Sequence, residues 1–204
     1  KLVLAPGVEM MFDGIEGLRA ANADGRILQA WRAGAETLAL RRQLEAMRDG
    51  GTYAITIPEQ PYRCPPGPYE RACMVANYFK QAKPKSKIIL LDSNPDIVSK
   101  KPLFMDAWNT FYPGMIEYRP NNAPLAVDSG TMTVTTEFDA VKGDVLNIVP
   151  KQRAGELCAL AGVAGSAAAV PGGPARGHPD AAGAAGGESH RPNVVQPPPS
   201  GPAG

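Results

Sequence analysis

The feature that most restricts the fold of this chain is a β-loop-α-β unit between residues 53 and 91. Tyr53–Ile57 is rich in β-branched side chains and predicts a strand. Tyr69–Ala82 carries apolar residues at helical spacing and predicts a helix, and Lys87–Leu91 is a continuous apolar run typical of a strand covered on both faces. Because parallel strands need a crossover helix, the unit predicts an α/β fold with a parallel sheet.

Further elements of the same class are predicted on both sides of this unit. Glu36–Arg48 predicts the clearest helix, because Leu40 and Met47 share one face and glycines follow it. Residues 8–34 are expected to form loop and short helix. The other predicted elements are a helix over Asp106–Phe111, strands over Lys1–Ala5, Met115–Tyr118, Thr131–Thr136 and Asp144–Val149, and a turn at Asn122-Ala123-Pro124. We therefore expect a Rossmann-like nucleotide-binding domain with an antiparallel excursion late in the chain.

The last 44 residues, 161–204, differ sharply in composition from the rest. They hold 10 of the 22 Gly, 8 of the 21 Pro and 11 Ala, and they contain no Leu, Ile, Met or aromatic residue. Such a segment buries too little apolar surface to offset the entropy of ordering it, so we expect a disordered tail. A second interpretation is GC-rich DNA translated in a wrong frame. The remaining part is long enough to bury roughly 70% of its unfolded surface.

Charge, hydropathy and histidine content exclude several classes of function. A net charge of +1 gives no basic field for nucleic acid, and no apolar run approaches the length of a membrane span. His178 and His190 both lie in the tail, so the rest of the chain offers no His–Cys zinc set and no Ser–His–Asp triad. We predict no metal site. The chain starts with Lys1 and has no signal peptide, so we expect an internal piece of a longer protein or a processed product.

The loop that follows the first strand of the unit contains five prolines between residues 58 and 68. In a dinucleotide-binding domain a glycine-rich turn at this place brings backbone N–H groups to the pyrophosphate. Proline has no N–H, and the G-x-G-x-x-G pattern is absent. We therefore do not expect this loop to bind NAD in the usual way.

Cys64 lies in this proline loop, next to Arg63 and just before the predicted helix. A helix N-terminus and a guanidinium both favour the reactive thiolate form of a cysteine, and a stiff loop fixes the sulfur, which suits redox or covalent chemistry. The alternative is a structural thiol. Glu70 is either a proton carrier beside the sulfur or a simple charge at the start of the helix.

The remaining candidates point less strongly to chemistry. Cys73 is interpreted as a packed core thiol, with redox pairing to Cys64 as the lesser alternative, and Cys158 as packed or incidental. The segment 147–155 runs from a strand into a predicted helix, and it either faces a cofactor or is an ordinary connection. Both tryptophans, Trp31 and Trp108, are interpreted as core or interface residues.

Several stretches together resemble the flavoprotein subunit of flavocytochrome c sulfide dehydrogenase and, more distantly, sulfide:quinone oxidoreductases. The most distinctive is YRCPPGPYERA at 62–72, because its proline-caged cysteine stands where relatives of this scaffold keep a glycine loop. The others are KLVLAPG (1–7), QLEAMRDGGT (43–52), KPKSKIILLDS (83–93), LFMDAW (103–108), YPGMIEY (112–118) and DVLNIVPKQRAG (144–155).

The resemblance implies two Rossmann-type domains, an FAD domain split around an NADH-like domain. Residues 1–50 would then be the end of the first FAD segment and the crossover, 51–143 the NADH-like domain, 144–160 the return into the FAD domain, and 161–204 the tail. It further implies a periplasmic enzyme in which sulfide is oxidised at a redox cysteine pair near FAD. Electrons would pass from FAD to a haem-containing cytochrome c subunit.

The resemblance also assigns site residues by motif position. Cys64 matches one member of the redox pair, and Glu70 matches the acidic residue near the flavin. At Lys151 the family usually has a second proline. The residues matched to the FAD site are Ala5, Pro6, Gly7, Pro150, Lys151 and Gln152.

Three family features have no counterpart in the sequence: the glycine fingerprint of the FAD domain, the cysteine that tethers the flavin, and the second redox cysteine. We therefore expect this chain alone to be inactive. The alternatives are a sulfide:quinone oxidoreductase-type flavoenzyme, which differs in its electron acceptor, and a non-catalytic fold remnant. A pyridine-nucleotide dehydrogenase is disfavoured by the proline loop.

Overall fold

The computed structural model describes residues 5–160, which belong to one compact unit. Nine strands occur in this part of the chain: β1 (Val8–Met10), β2 (Thr52–Ile57), β3 (Lys87–Asp92), β4 (Ile116–Arg119), β5 (Pro124–Asp128), β6 (Thr133–Thr136), β7 (Ala140–Lys142), β8 (Val145–Ile148) and β9 (Gln152–Ala154). Its helices are α1 (Leu18–Ala23), α2 (Ala35–Ala46), α3 (Gly67–Ala82), α4 (Lys101–Phe111) and α5 (Glu156–Leu160), with a short 3-10 helix at Phe12–Gly14.

A four-stranded parallel sheet in the order β4-β3-β2-β8 forms the centre. Tyr53 of β2 lies between Ile88 of β3 and Val145 of β8. The sequence-predicted β-loop-α-β unit is confirmed, with α3 linking β2 to β3. This strand order is the one found in one half of a dinucleotide-binding fold, so the predicted Rossmann-like α/β class is confirmed.

Helices cover one face of the parallel sheet. The α3 side chains that the sequence places on its inner face, Ala72, Val75, Ala76 and Phe79, are all buried. They pack into one apolar cluster with Leu40 of α2 and with the β2 and β3 side chains that face the helices. Because both faces of these strands are covered, β2 and β8 are almost continuously buried.

The opposite face is covered by α1 and by an antiparallel three-stranded sheet in the order β5-β6-β7. Val127, Val134 and Val141, one from each of these strands, pack against Leu146 and other residues of β8 and β2. The expected antiparallel excursion is therefore present, and it forms a layer of the core rather than a loose extension. Of its three strands, the sequence predicted only the one over Thr131–Thr136. The other two, β5 and β7, were not predicted because they are short and partly exposed.

A small antiparallel pair joins the two ends of the described chain. Val8 of β1 lies opposite Ala154 of β9, and Met10 lies opposite Gln152. The predicted strand-to-helix turn over residues 147–155 is wrong in this respect, because β9 intervenes between β8 and α5. A strand of three residues gains its hydrogen bonds from a partner far along the chain, which no local pattern shows.

Other element boundaries also differ from the prediction. Pro124 begins β5 rather than ending a turn, and α4 begins at Lys101, with Pro102 in its first turn, rather than at Asp106. Ala5 lies outside any strand, while residues 1–4 of the predicted strand Lys1–Ala5 fall outside the described residues. The expected disordered tail, 161–204, also lies outside them. Among residues 5–160, no helix is long and apolar enough to cross a bilayer.

Asn147 of β8 fastens the sheet to the segment that precedes α2. Its side chain is fully buried and donates to the carbonyl oxygens of Leu28 and Gln29, at 2.8 Å each. Its Oδ1 accepts the Tyr53 hydroxyl at 3.1 Å and an Arg71 N–H at 2.7 Å. A buried amide with all of its bonds made stabilises the structure mainly because each partner would otherwise be left unsatisfied.

We expect Asn147→Leu to lower the free energy of unfolding by about 3 kcal/mol, because Tyr53 and Arg71 would lose a buried acceptor. Urea unfolding of the whole chain, followed by circular dichroism, measures this change. Asn109→Leu is the matched control, since Asn109 is exposed on α4, and it should shift the value by about 0.5 kcal/mol or less. Equal effects of the two substitutions would contradict the role given to Asn147.

Candidate functional site

The carboxyl ends of β2 and β8 define a crevice at the point where the order of the strands reverses. From β2 the chain moves outward through β3 to β4, and it later returns to β8 on the other side of β2. Open α/β sheets bind their ligands at such a point. A cavity of about 280 Å³ lies here, with Pro58, Glu59, Val149 and Lys151 among its lining residues.

The walls of this crevice are fastened to each other. The Val149 N–H donates to the Thr56 hydroxyl at 2.9 Å. The Lys151 ammonium pairs with the Glu59 carboxylate at 2.5 Å and holds the pKa of Glu59 below its usual range. A prolyl residue, Pro58, occupies the place directly after β2, where a dinucleotide-binding domain offers backbone donors.

Cys64 lies in the loop between this crevice and α3, and its side chain is exposed. Its backbone adopts the left-handed conformation, with φ of +62°. For a residue other than glycine this conformation costs roughly 1–2 kcal/mol, and such costs are concentrated at functional sites. The Cys64 carbonyl accepts the N–H of Gly67, the first residue of α3, at 2.9 Å. The Cys64 backbone is thus joined to the first residue of that helix, and its sulfur lies 3.1 Å from where a Gly67 Cβ would be.

Glu70 is exposed in the first turn of α3, one helical turn before Cys73. Burial raises the pKa of the half-buried Cys73 thiol, and the negative charge of Glu70 adds to this effect. The Cys73 sulfur also accepts the indole N–H of Trp108 at 3.3 Å. These contacts agree with the interpretation of Cys73 as a packed thiol, and all three cysteines are free.

Sequence reasoning missed Asp92, the last residue of β3. Its carboxylate is fully buried and accepts the hydroxyls of Tyr69 at 2.6 Å and Tyr118 at 3.0 Å. Both N–H donors of Asn94, from backbone and side chain, bind its other oxygen. Burial raises the pKa of Asp92 against the effect of these hydrogen bonds. The sequence feature that could have indicated Asp92 is an acidic residue directly after a run of apolar strand residues.

The position of Asp92 matters because dinucleotide-binding domains commonly use an acidic residue near the end of the second strand to bind a ribose. Here internal donors already occupy that carboxylate. Together with the proline loop, this removes two of the groups with which such a domain holds a pyridine nucleotide. The expectation that the loop does not bind NAD in the usual way thus has a second physical basis.

The residues matched to FAD lie along the joined ends of the described chain. Ala5, Pro6 and Gly7 are exposed, and the Gly7 carbonyl accepts the Gly155 N–H at 3.1 Å. The structure therefore brings these residues and β9 side by side. Of the second group, Pro150 is buried, Lys151 is exposed in its ion pair, and Gln152 is buried.

Gln152 provides a test of whether these residues fit a flavin. Its Oε1 accepts the Arg63 N–H at 3.0 Å, whereas its buried Nε2 has no hydrogen-bond partner among residues 5–160. A donor left over in this way fits an acceptor such as the carbonyl oxygens of a flavin ring. The residues described here thus fit part of an FAD site, while the glycine turn for its pyrophosphate has no counterpart among them.

A second cavity, of about 550 Å³, adjoins the β1–β9 pair and reaches the N-terminal end of α2. Its charged side chains balance, because three arginines face three acidic residues. They are Arg19, Arg32 and Arg153, and Glu9, Asp13 and Glu36. Within residues 5–160 the structure shows no cluster of three His, Cys, Asp or Glu that could hold a metal ion.

The parallel sheet and its crevice define a Rossmann-like α/β domain of the nucleotide-binding type. Solved structures with a similar fold include an engineered water-forming NADPH oxidase bound to NADPH (TM-score 0.50, 13% identity, 76% of this chain and 31% of that one). Reduced Bacillus anthracis CoADR-RHD is also similar (0.52, 14%, 77% and 26%). A third is a chain of the Tetrahymena thermophila mitochondrial ATP synthase F1Fo tetramer (0.53, 17%, 76% and 41%).

These likenesses concern the fold alone, and the chain spans less than half the length of each of those structures. Residues 37–150 match the family described as the central part of the flavoprotein chain of sulfide dehydrogenase, flavocytochrome c. The match covers more than half of the sequence, so the chain belongs to this family. It carries a domain of a flavin-dependent oxidoreductase.

We expect Gly67→Ala to destabilise the chain through a collision in the Cys64 loop. A Cβ at residue 67 would lie 2.8 Å from the indole of Trp31 and 3.1 Å from the Cys64 sulfur. Overpacking of this kind lowers the free energy of unfolding by about 1–3 kcal/mol. The loss should shrink by about 1 kcal/mol or more when Trp31 is also changed to Phe, because the smaller ring leaves space.

Urea unfolding of both single variants and of the double variant measures this coupling. Gly14→Ala is the control, since a Cβ there would meet no atom within 4 Å. An equal loss from Gly67→Ala with and without Trp31 would show that the indole does not fill the space at Gly67.

Proposed function

We propose that this chain is part of an FAD-dependent sulfide dehydrogenase in which Cys64 accepts the sulfur of sulfide. The observation that carries the proposal is the exposed cysteine held in a strained conformation at the start of α3, in a chain of this family. A sulfur that is accessible and fixed suits thiol–disulfide exchange, because the attacking atom must approach along the bond that breaks.

The proposed reaction begins with a disulfide between Cys64 and a second cysteine of the intact enzyme. Hydrosulfide attacks the Cys64 sulfur, a new S–S bond forms, and the old one breaks. Cys64 then carries a persulfide, and the second cysteine leaves as a thiolate with the electron pair of the broken bond. Glu70 takes up the proton of the persulfide, since it lies in the turn of α3 that follows the cysteine loop.

FAD, when bound, would supply a two-electron acceptor that returns the cysteine pair to the disulfide after the persulfide sulfur has left. Gln152 supports its binding in this proposal, because the unpartnered Nε2 is available as a donor beside the cysteine loop. The exposed backbone of Ala5–Gly7 adjoins the same strand pair and would form a further wall of the site.

The final acceptor in this proposal is the haem of a cytochrome c subunit, in the periplasm. The family to which the chain belongs is defined by a flavocytochrome, which supports a cytochrome partner over other acceptors. A nicotinamide acceptor is opposed by the loop prolines after β2 and by the internal hydrogen bonds of Asp92.

In the intact flavin-loaded enzyme we expect Cys64→Ser to abolish the bleaching of flavin absorbance by sulfide while flavin stays bound. Serine cannot form the disulfide or the persulfide. Anaerobic stopped-flow absorbance measures the reaction, and Cys73→Ser, which changes a packed thiol, should retain it. Reduction at the unaltered rate in Cys64→Ser would end the assignment.

Glu70→Gln should slow the same reaction by about 100-fold, the lower bound for the usual contribution of a positioned proton carrier. The amide keeps the size of the side chain but cannot take up a proton, so the pH dependence of the rate should flatten as well. Glu137→Gln removes an exposed acid far along the sequence and serves as the control. If Glu70→Gln behaves like this control, Glu70 is only a helix N-terminal charge.

A further inference from the structure

Two side chains bind the backbone of Arg63, the residue before Cys64, one at its carbonyl and one at its N–H. The indole N–H of Trp31 donates to the Arg63 carbonyl at 3.2 Å. The Arg63 N–H donates to the Gln152 side chain at 3.0 Å. Trp31 precedes the Rossmann unit and Gln152 follows it, so the cysteine loop is fastened to both flanking segments of the chain.

Trp31 is itself held in place by Arg71 of α3. The guanidinium carbon lies 5.0 Å from the centre of the Trp31 ring, within the range of a cation–π contact. The same guanidinium donates to the carbonyl of Ala30 at 2.7 Å and to Asn147 at 2.7 Å. These bonds fix the backbone just before Trp31 and hence the direction of its ring.

The absence of a side chain at Gly67 leaves space that the Trp31 ring and the Cys64 sulfur both approach. The position of a Gly67 Cβ would be 2.8 and 3.1 Å from two indole carbons of Trp31 and 3.1 Å from the Cys64 Sγ. The position of this Cβ is thus within van der Waals distance of both the Trp31 indole and the Cys64 sulfur. The indole and the sulfur therefore border the same space above Gly67, and Cys64 itself stays exposed.

The left-handed backbone of Cys64 persists only while surrounding contacts hold it. We propose that Trp31 and Gln152 are positioning residues for Cys64: they bind the backbone of Arg63 and so keep Cys64 at positive φ, with Arg71 holding Trp31. The proposal rests on the proposed function in one respect, the role of Cys64 as the reactive sulfur.

The first measurement is NMR of the isotope-labelled 204-residue chain. A residue at positive φ gives a strong intraresidue HN–Hα cross-peak, and we expect Cys64 to lose this intensity in Trp31→Phe and in Gln152→Leu. Gln152→Glu keeps an oxygen acceptor for the Arg63 N–H and should retain the cross-peak. The matched control is Gln43→Leu, which removes an amide bound to the Gly25 carbonyl instead.

The second measurement is chemical and separates positioning from loss of stability. In a Cys158→Ser background, iodoacetamide labels Cys64 and Cys73, and peptide mass spectrometry gives the ratio of the two rates. General destabilisation raises the labelling rate of the half-buried Cys73 and leaves that of the exposed Cys64 almost unchanged. Loss of one fixing hydrogen bond should instead change the Cys64 rate about fivefold and leave the Cys73 rate unchanged, because such a bond shifts the balance between two loop conformations by about that factor.

An unchanged cross-peak and an unchanged labelling ratio in either folded variant would overturn the role of that residue. Neither measurement uses sulfide or flavin. Failure of sulfide to react at a normally held Cys64 would therefore overturn the proposed function and leave the positioning role intact. The reverse result, a reactive Cys64 that Trp31 and Gln152 do not influence, would overturn the positioning role alone.

Discussion

The rest of this structure depends on the contacts that the Arg71 guanidinium makes. It projects from α3 and binds the carbonyl of Ala30, the side chain of Asn147 and the face of Trp31. Burial lowers the pKa of Arg71. The oxygens of Ala30 and Asn147 accept hydrogen bonds from the guanidinium and so stabilise its positive charge. One side chain thus joins the helix after the cysteine loop, the last strand of the parallel sheet, and the segment that leads into the domain.

Local patterns in the sequence were enough to predict the parallel sheet and α3. Tyr53–Ile57 and Lys87–Leu91 are mostly apolar because both faces of their strands are covered, so burial selects apolar residues at nearly every position. The strands β1, β5, β7 and β9 were missed for the opposite reason. They are short, they are partly exposed, and their partners are remote, so their stability comes from pairing rather than from composition.

The candidate site shows the same division. Cys64 was predicted from its prolines, because a missing N–H and a rigid loop are properties of the residues themselves. Asp92, Trp31 and Gln152 acquire their roles only through contacts across the fold. Asp92 binds two tyrosines, and Trp31 and Gln152 both bind the backbone of Arg63. Spacing along the chain carries no record of such contacts.

The pairing of β1 with β9 has a consequence for how such a domain combines with others. Residues opposite each other in an antiparallel pair lie about 5 Å apart, so the chain enters and leaves the Rossmann unit at nearly one point. An insertion with adjoining ends disturbs a host domain little, because the host needs to open only one loop to receive it. The strand pair brings the two ends of the unit to one junction, which is the geometry that an inserted domain requires.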